Sequence, residues 1–188
     1  MDIDGFWAVI EGTGRGAGLD ERSDRLAAAL TELTVEDLLD FQDHLEAQRG
    51  RVSGDVMGDA ATLILLGCGD DSFARFTAWL VGLGRETMDR IAEDPDRLAD
   101  ECEVRALADR HPRDWSDDEY PWWEELEFAA VHEYERRELD PACMHCARKA
   151  RVPEGGRSPW REPERDDRDP EESLPRLTAM FDDGRLWD

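Results

Sequence analysis

Three groupings in this chain have residue types and spacing suited to chemistry. Cys143, His145 and Cys146 stand close together, and thiolates with an imidazole suit a tetrahedral zinc ion. A second half of such a site is missing, because Cys68 and Cys102 lie in stretches read as helical, with no partner at ligand spacing. A redox CxxC would open a helix after a strand, and no strand is visible, so reduced thiols in a loop are the simpler reading. Asp70 and Asp71 suit a hard cation or an acid–base pair. Neighbours on a helix point about 100° apart, however, and a capping role accounts for Asp70 without chemistry. A sharper grouping places Asp71, Trp79, Arg85 and Glu133 around one pocket where the central and final helices meet. In that arrangement Glu133 is either bonded by Arg85 or Arg75 as a structural pair or is a site residue in a cleft. The third grouping runs from Asp114 to Glu127, where Trp115, Tyr120, Trp122 and Trp123 alternate with seven carboxylates and no base. Ring faces and charge together would grip a cationic segment; alternatively, the rings close the core as the last helix docks. No nucleophile elbow, HExxH or dinucleotide fingerprint is present.

The elements that must position these residues are helices. The central stretch is GCGDDSFARFTAWLVGLGRETMDRIAEDPDRLA, Gly67 to Ala99. Asp70 is placed to cap a helix, with Asp71 favouring the dipole in its first turn. Phe73, Phe76, Leu80 and Leu83 then recur at helical steps with Trp79 beside them, a strongly apolar stripe. Gly82 and Gly84 mark a turn, Met88 and Ile91 resume helical spacing, and Asp94-Pro95 starts a third helix with Leu98 and Cys102 on its buried side. Before this stretch, Phe6, Trp7, Val9 and Ile10 form a short apolar helix or turn, and Gly12 to Gly18 reads as a flexible connector and not a phosphate loop. Asp20 is a possible cap for a helix with Leu26, Leu30 and Leu33 on its stripe. Thr34 caps the next, which carries Leu38, Phe41, Gln42 and Leu45 inward and His44 outward. Val56, Ala60, Leu63, Ile64 and Gly67 make a further helical face. Near the end, Leu126, Ala129, Ala130 and Tyr134 share a helix side with Glu133. After Asp140 the composition turns rich in proline, glycine and charge, which predicts a connector, with a short helix over 174–181 docking back and Trp187 near it.

The run GDDSFARFTAWLVGLGRETMDRIAEDPDRLA resembles the central motif of the bacterial family called domain of unknown function 4240. Its members read approximately sDDSF-x-x-F-x-x-WL-x-x-x-G-(K/R)-E, followed by a DP-x-x-L segment. FWAVIE at Phe6 to Glu11, AAVHEYE at Ala129 to Glu135 and LPRLTAMF at Leu174 to Phe181 are similar to the family's opening, closing and tail segments. The resemblance implies a fold and a cytosolic bacterial setting and carries no catalytic residues with it. The tail departs from the family pattern in its length and in its CMHC motif.

The fold class expected is therefore all-α, a compact domain of about six to eight helices over residues 1–140, with a loop-rich tail over 141–188. The chain has 47 acids against 23 bases, a net charge of −24. Residues 1–140 hold 36 acids and 14 bases and so account for −22 of it, and Lys149 is the sole lysine. Such a field repels nucleic acid, phosphate-rich ligands and anionic membranes and attracts basic proteins or cations, although solubility alone also explains it. There is no apolar run of the roughly 18 residues that cross a bilayer and no signal-peptide pattern at the N-terminus, which reads as cytoplasmic. The functional expectation is a non-catalytic binding protein, accessory or immunity-like, that captures a basic protein or peptide, with no cofactor beyond a possible zinc. The alternative is an enzyme acting on a small molecule or peptide through the Asp71, Arg85 and Glu133 cluster. Direct DNA binding is disfavoured by the charge, while mimicry of DNA towards a DNA-binding protein is a third reading.

Overall fold

The computed structural model describes residues 1–108, 110–137, 141–151 and 169–181, without the side chains of 141–143 and 150. In chain order the helices are α1 (Ile3–Gly12), α2 (Leu19–Thr31), α3 (Val35–Arg51), α4 (Asp55–Leu65), α5 (Asp70–Gly82), α6 (Arg85–Glu93), α7 (Cys102–Leu107), α8 (Glu124–Arg136), α9 (Pro141–Arg151), α10 (Pro170–Ser173) and α11 (Pro175–Phe181). Short 3-10 segments occupy Pro95–Asp100, Pro112–Asp114 and Asp117–Glu119. No strand occurs among the described residues. The fold is all-α, and its longer helices agree with the six to eight expected; the surplus comes from short pieces that close gaps between them.

Helix α5 is the centre. Every residue from Phe76 to Gly82 is buried, so this half of the helix is covered on all sides, as a core helix is. Helices α1, α3, α4, α6 and α8 pack around it, and α8 also lies along α2 and α3. Phe76 stacks on Trp79 at 5.7 Å, and Phe6 meets Trp7 and Phe41 at about 5 Å. Phe73, at the open end of α5, is only partly buried. Gly82 is required where it stands: a Cβ there would lie 2.6 Å from Trp123 Cε3 and 3.1 Å from Arg22 Nη2. The aromatic ring of α8's N-cap residue thus seats directly on the backbone of the central helix.

Capping follows local chemistry in part. Thr34 caps α3 by accepting the Asp37 N–H, and Asp94 accepts the Asp96 N–H at the start of its helix, which is a 3-10 turn and not an α-helix. Asp70 is not a cap. Gly69 holds that position with no side-chain bond, because Leu66 in the left-handed region (φ 57°) and Gly67 (φ 124°) turn the chain early enough for Asp70 to be already helical. Asp20 likewise sits inside α2, whose first N–H, on Leu19, is received at 2.8 Å by the distant Asp118 carboxylate. Cys102 is exposed at the start of α7 and not buried beside Leu98. His44 is half-buried against Phe6, with Nε2 3.3 Å from the Met1 carbonyl.

Beyond α8 the chain departs from the expected connector. Residues Pro141–Arg151 form a helix, α9, which packs on α3 and α8. Helix α11 lies against α4 and the Pro95–Asp100 turn, burying Leu177 and Phe181. The buried carboxylate of Asp96 receives the Arg176 and Leu177 N–H groups at 3.1 and 2.9 Å, capping α11 from outside it. Trp187 and the stretch 152–168 lie outside the described residues.

Candidate functional site

An open cleft of about 440 Å³ lies where the N-termini of α4 and α5 converge. Gly54 and Gly69 are the two N-caps, and neither supplies a side-chain cap bond. Asp55, Asp59 and Asp70 line the walls with Gly58, Cys68 and Phe73. Asp55 and Asp70, in the first turns of α4 and α5, favour the helix dipoles. Burial, and then the charge of Asp70, push the Cys68 thiol up, which keeps it protonated and a poor nucleophile. Asp71 is exposed and does not line the cleft.

The grouping of Asp71, Trp79, Arg85 and Glu133 is not brought together. Arg85 begins α6, beyond the far end of α5 from Asp71; its guanidinium donates to Asp4 at 2.6 Å and its backbone N–H to Glu11 at 3.1 Å. With Glu11 and Arg15 it borders a second, smaller cleft of about 220 Å³. Trp79 is buried in the core. Glu133 is buried on α8 and receives Arg136 at 2.6 and 2.8 Å and Arg137 at 2.6 Å, and not Arg85 or Arg75. The Arg136 hydrogen bonds, outweighing burial with the help of Arg137, hold the Glu133 carboxyl down at about 2. Arg137 also donates to the carbonyls of Leu30, Thr31 and Leu33, satisfying the C-terminal end of α2. Glu133 thus holds the arginine that bonds to the C-terminal carbonyls of α2.

The aromatic segment divides. Trp123 is fully buried, donates its indole N–H to Ser23 Oγ at 2.8 Å and lies under the Arg22 guanidinium at 4.1 Å. Trp115 is buried and meets Tyr120 edge-on at 5.2 Å. Tyr120 and Trp122 are half-buried and stack at 4.2 Å, with Arg75 5.9 Å from the Trp122 ring. Two rings close the core, and two form a surface step. The carboxylates divide as well: Glu119, Glu124 and Glu127 pair with Arg110, Arg75 and Arg49, while Asp114, Asp117 and Glu125 are exposed at the surface. The Arg110 hydrogen bond, followed by those from Ser116, draws the Glu119 carboxyl down to about 2.

A partly buried ionic network carries the residues that sequence reasoning missed. Arg15, within the glycine connector, donates to Glu101 and Glu103 at 2.6 Å, to Thr87 Oγ1 at 3.0 Å and to the Leu83 carbonyl at 3.2 Å. Arg90 holds the other oxygen of buried Glu101 at 2.7 Å. Arg22, also buried, donates to the Gly82 carbonyl at 2.6 Å; burial lowers its pKa to about 10. Its position was legible, since 22, 26 and 30 share the inward stripe of α2. Nothing local marked Arg15.

Residues 1–136 match the family model for proteins of unknown function designated DUF4240. The chain belongs to this family. No curated protein and no solved structure matches it. The DUF4240 match runs from α1 to the last residue of α8, so the clefts, the ionic network and the aromatic step all lie within it, while α9–α11 lie beyond. The CMHC motif is in this appended part. His145 and Cys146 are exposed on α9, and the side chain of Cys143 is outside the described set. Among the described residues no group of three His, Cys, Asp or Glu side chains is placed to hold a metal ion. No helix among them is long and apolar enough to cross a membrane.

Proposed function

We propose that this DUF4240 protein is a binding module, accessory or immunity-like, that captures a basic protein or peptide in the bacterial cytoplasm. One observation carries the reading. With 47 acids and 23 bases, pairing every base to a different acid still leaves 47 − 23 = 24 carboxylates without a cation of their own. Beside the Tyr120–Trp122 step, exposed Asp114, Asp117 and Glu125 accompany two ring faces. Rings and carboxylates together favour arginine or lysine side chains. The same field repels phosphate backbones, so direct nucleic-acid binding is not part of the proposal. Arg85 bonds to Asp4 and Glu133 to Arg136 and Arg137, while Asp71 is exposed, so these three lend no support to an enzymatic pocket.

Affinity capture from lysate with the full chain tests this. A basic partner retained at about 50 mM salt should be lost at about 1 M, where the screening length falls to about 3 Å. Retention that is indifferent to salt would contradict an electrostatic capture.

A further inference from the structure

Part of the acidic surface is already occupied from within the chain. Glu36, Asp40, Asp43 and Glu46 fall at steps of four, three and three residues on α3, which places them along one ridge of that helix. Across the ridge lies α9, which ends in Arg148, Lys149 and Arg151. Arg148 donates to Asp43 and Glu46 at 2.6 Å each, with a second contact to Glu46. Arg151 donates to Asp40 at 2.5 Å and stands 3.7 Å from Asp43 and 4.0 Å from Glu36. The Arg148 side chain is only 16% exposed, whereas Asp43 and Glu46 remain 44% and 49% exposed; the guanidinium is lodged in a ridge that stays open beside it. Met144 is buried and Ala147 partly buried against the core, so the seat has an apolar end as well as a charged one.

The ridge lies within the residues that match the DUF4240 model, and its occupant lies after them. An eleven-residue helix is marginal by itself, and surface ion pairs are individually weak and screened by salt. We infer that the α3 ridge is a receptor for a basic helix, occupied in cis by α9, and that a partner helix presenting an apolar residue four positions before an arginine, and a second arginine three beyond it, competes with α9 for the seat. The inference rests on the reading that the partner is basic and adds where it binds and what holds that surface closed.

The probe is a fluorescein-labelled peptide with the sequence of residues 141–151, carrying Cys143→Ser and Cys146→Ser, followed by anisotropy against full-length protein. In the wild-type chain the tethered helix competes at a local concentration near the millimolar range, so the peptide should bind weakly. In the full chain with Arg148→Glu and Arg151→Glu, the cis helix is repelled and the peptide should bind at least tenfold more tightly, with loss of that binding at high salt. Adding Asp43→Asn and Glu46→Gln to that variant should abolish it. Equal binding to wild type and the Arg148→Glu, Arg151→Glu chain, or binding that survives neutralisation of the ridge, overturns the inference. If the charge-reversed chain does not fold, Arg148→Gln with Arg151→Gln removes the pairs without adding repulsion and carries the same comparison. A basic partner captured from lysate equally by wild type and the released variant would leave the general reading standing and sink only the ridge.

Discussion

At the scale of single residues, close approach and buried charge decide what can be changed. Gly82→Ala places a methyl group 2.6 Å from the rigid Trp123 ring; the helix-propensity gain of about 1 kcal/mol does not offset an overpacking cost of about 1–3 kcal/mol or more. The urea midpoint should fall with the slope unchanged, and a variant as stable as wild type would mean the ring can move aside. Glu133 gives a pH prediction. Its carboxyl titrates near 2 in the folded chain against 4.5 ordinarily, a depressed value, so its contribution is complete above about pH 4.5 and is lost as pH falls towards 2. Glu133→Gln should therefore cost about 1–3 kcal/mol near pH 6, and the difference in melting temperature from wild type should close by pH 2. A gap that stays constant across that range would show that charge is not what Glu133 supplies. Arg22 was readable from its place on an apolar stripe. The grouping of Asp71, Arg85 and Glu133 was misread because sequence spacing cannot say which of many arginines reaches a carboxylate: Glu133 found its partners three and four residues away on its own helix.

At the scale of elements, caps supplied from a distance govern the late helices. Helix α11 has seven residues and takes its cap from Asp96. Asp96→Ala removes the acceptor for two N–H groups and should cost about 1–2 kcal/mol. Amide exchange over Leu177 to Phe181 should accelerate roughly 5- to 30-fold, while α5 amides keep their protection; unchanged exchange in α11 would show that its apolar contacts alone hold it. Thr178 Oγ1 is buried beside this cap without a hydrogen-bond partner, so Thr178→Val should stabilise the chain by up to about 1 kcal/mol, read as a raised melting temperature. The helices from α1 to α6 were legible because each has its own apolar period, and Thr34 and Asp94 because a local side chain starts the helix. Asp70 was misread by one position, since the left-handed turn at Leu66 is not signalled by residue type. Helix α9 was missed because its stability comes from carboxylates more than a hundred residues earlier, which no local window contains.

At the scale of the whole molecule, self-repulsion opposes compactness. A net charge of −24 on 188 residues should make the melting temperature rise between about 20 and 200 mM salt, as screening relieves more repulsion than attraction; a fall over that range would place the internal ion pairs above the surplus. The surplus itself was plain from composition, but its distribution was not: the segment richest in acids and rings spends three carboxylates on arginines from other elements and two rings on the core. One accident of composition makes the closed seat on α3 observable. Lys149 is the sole lysine and is exposed on α9, so a lysine-specific endoprotease has a single bond to cut, and it can cut there only while that helix is unwound from its ridge. The digestion rate of the intact chain is accordingly a clock for how often the seat falls vacant, with two fragments as its whole output.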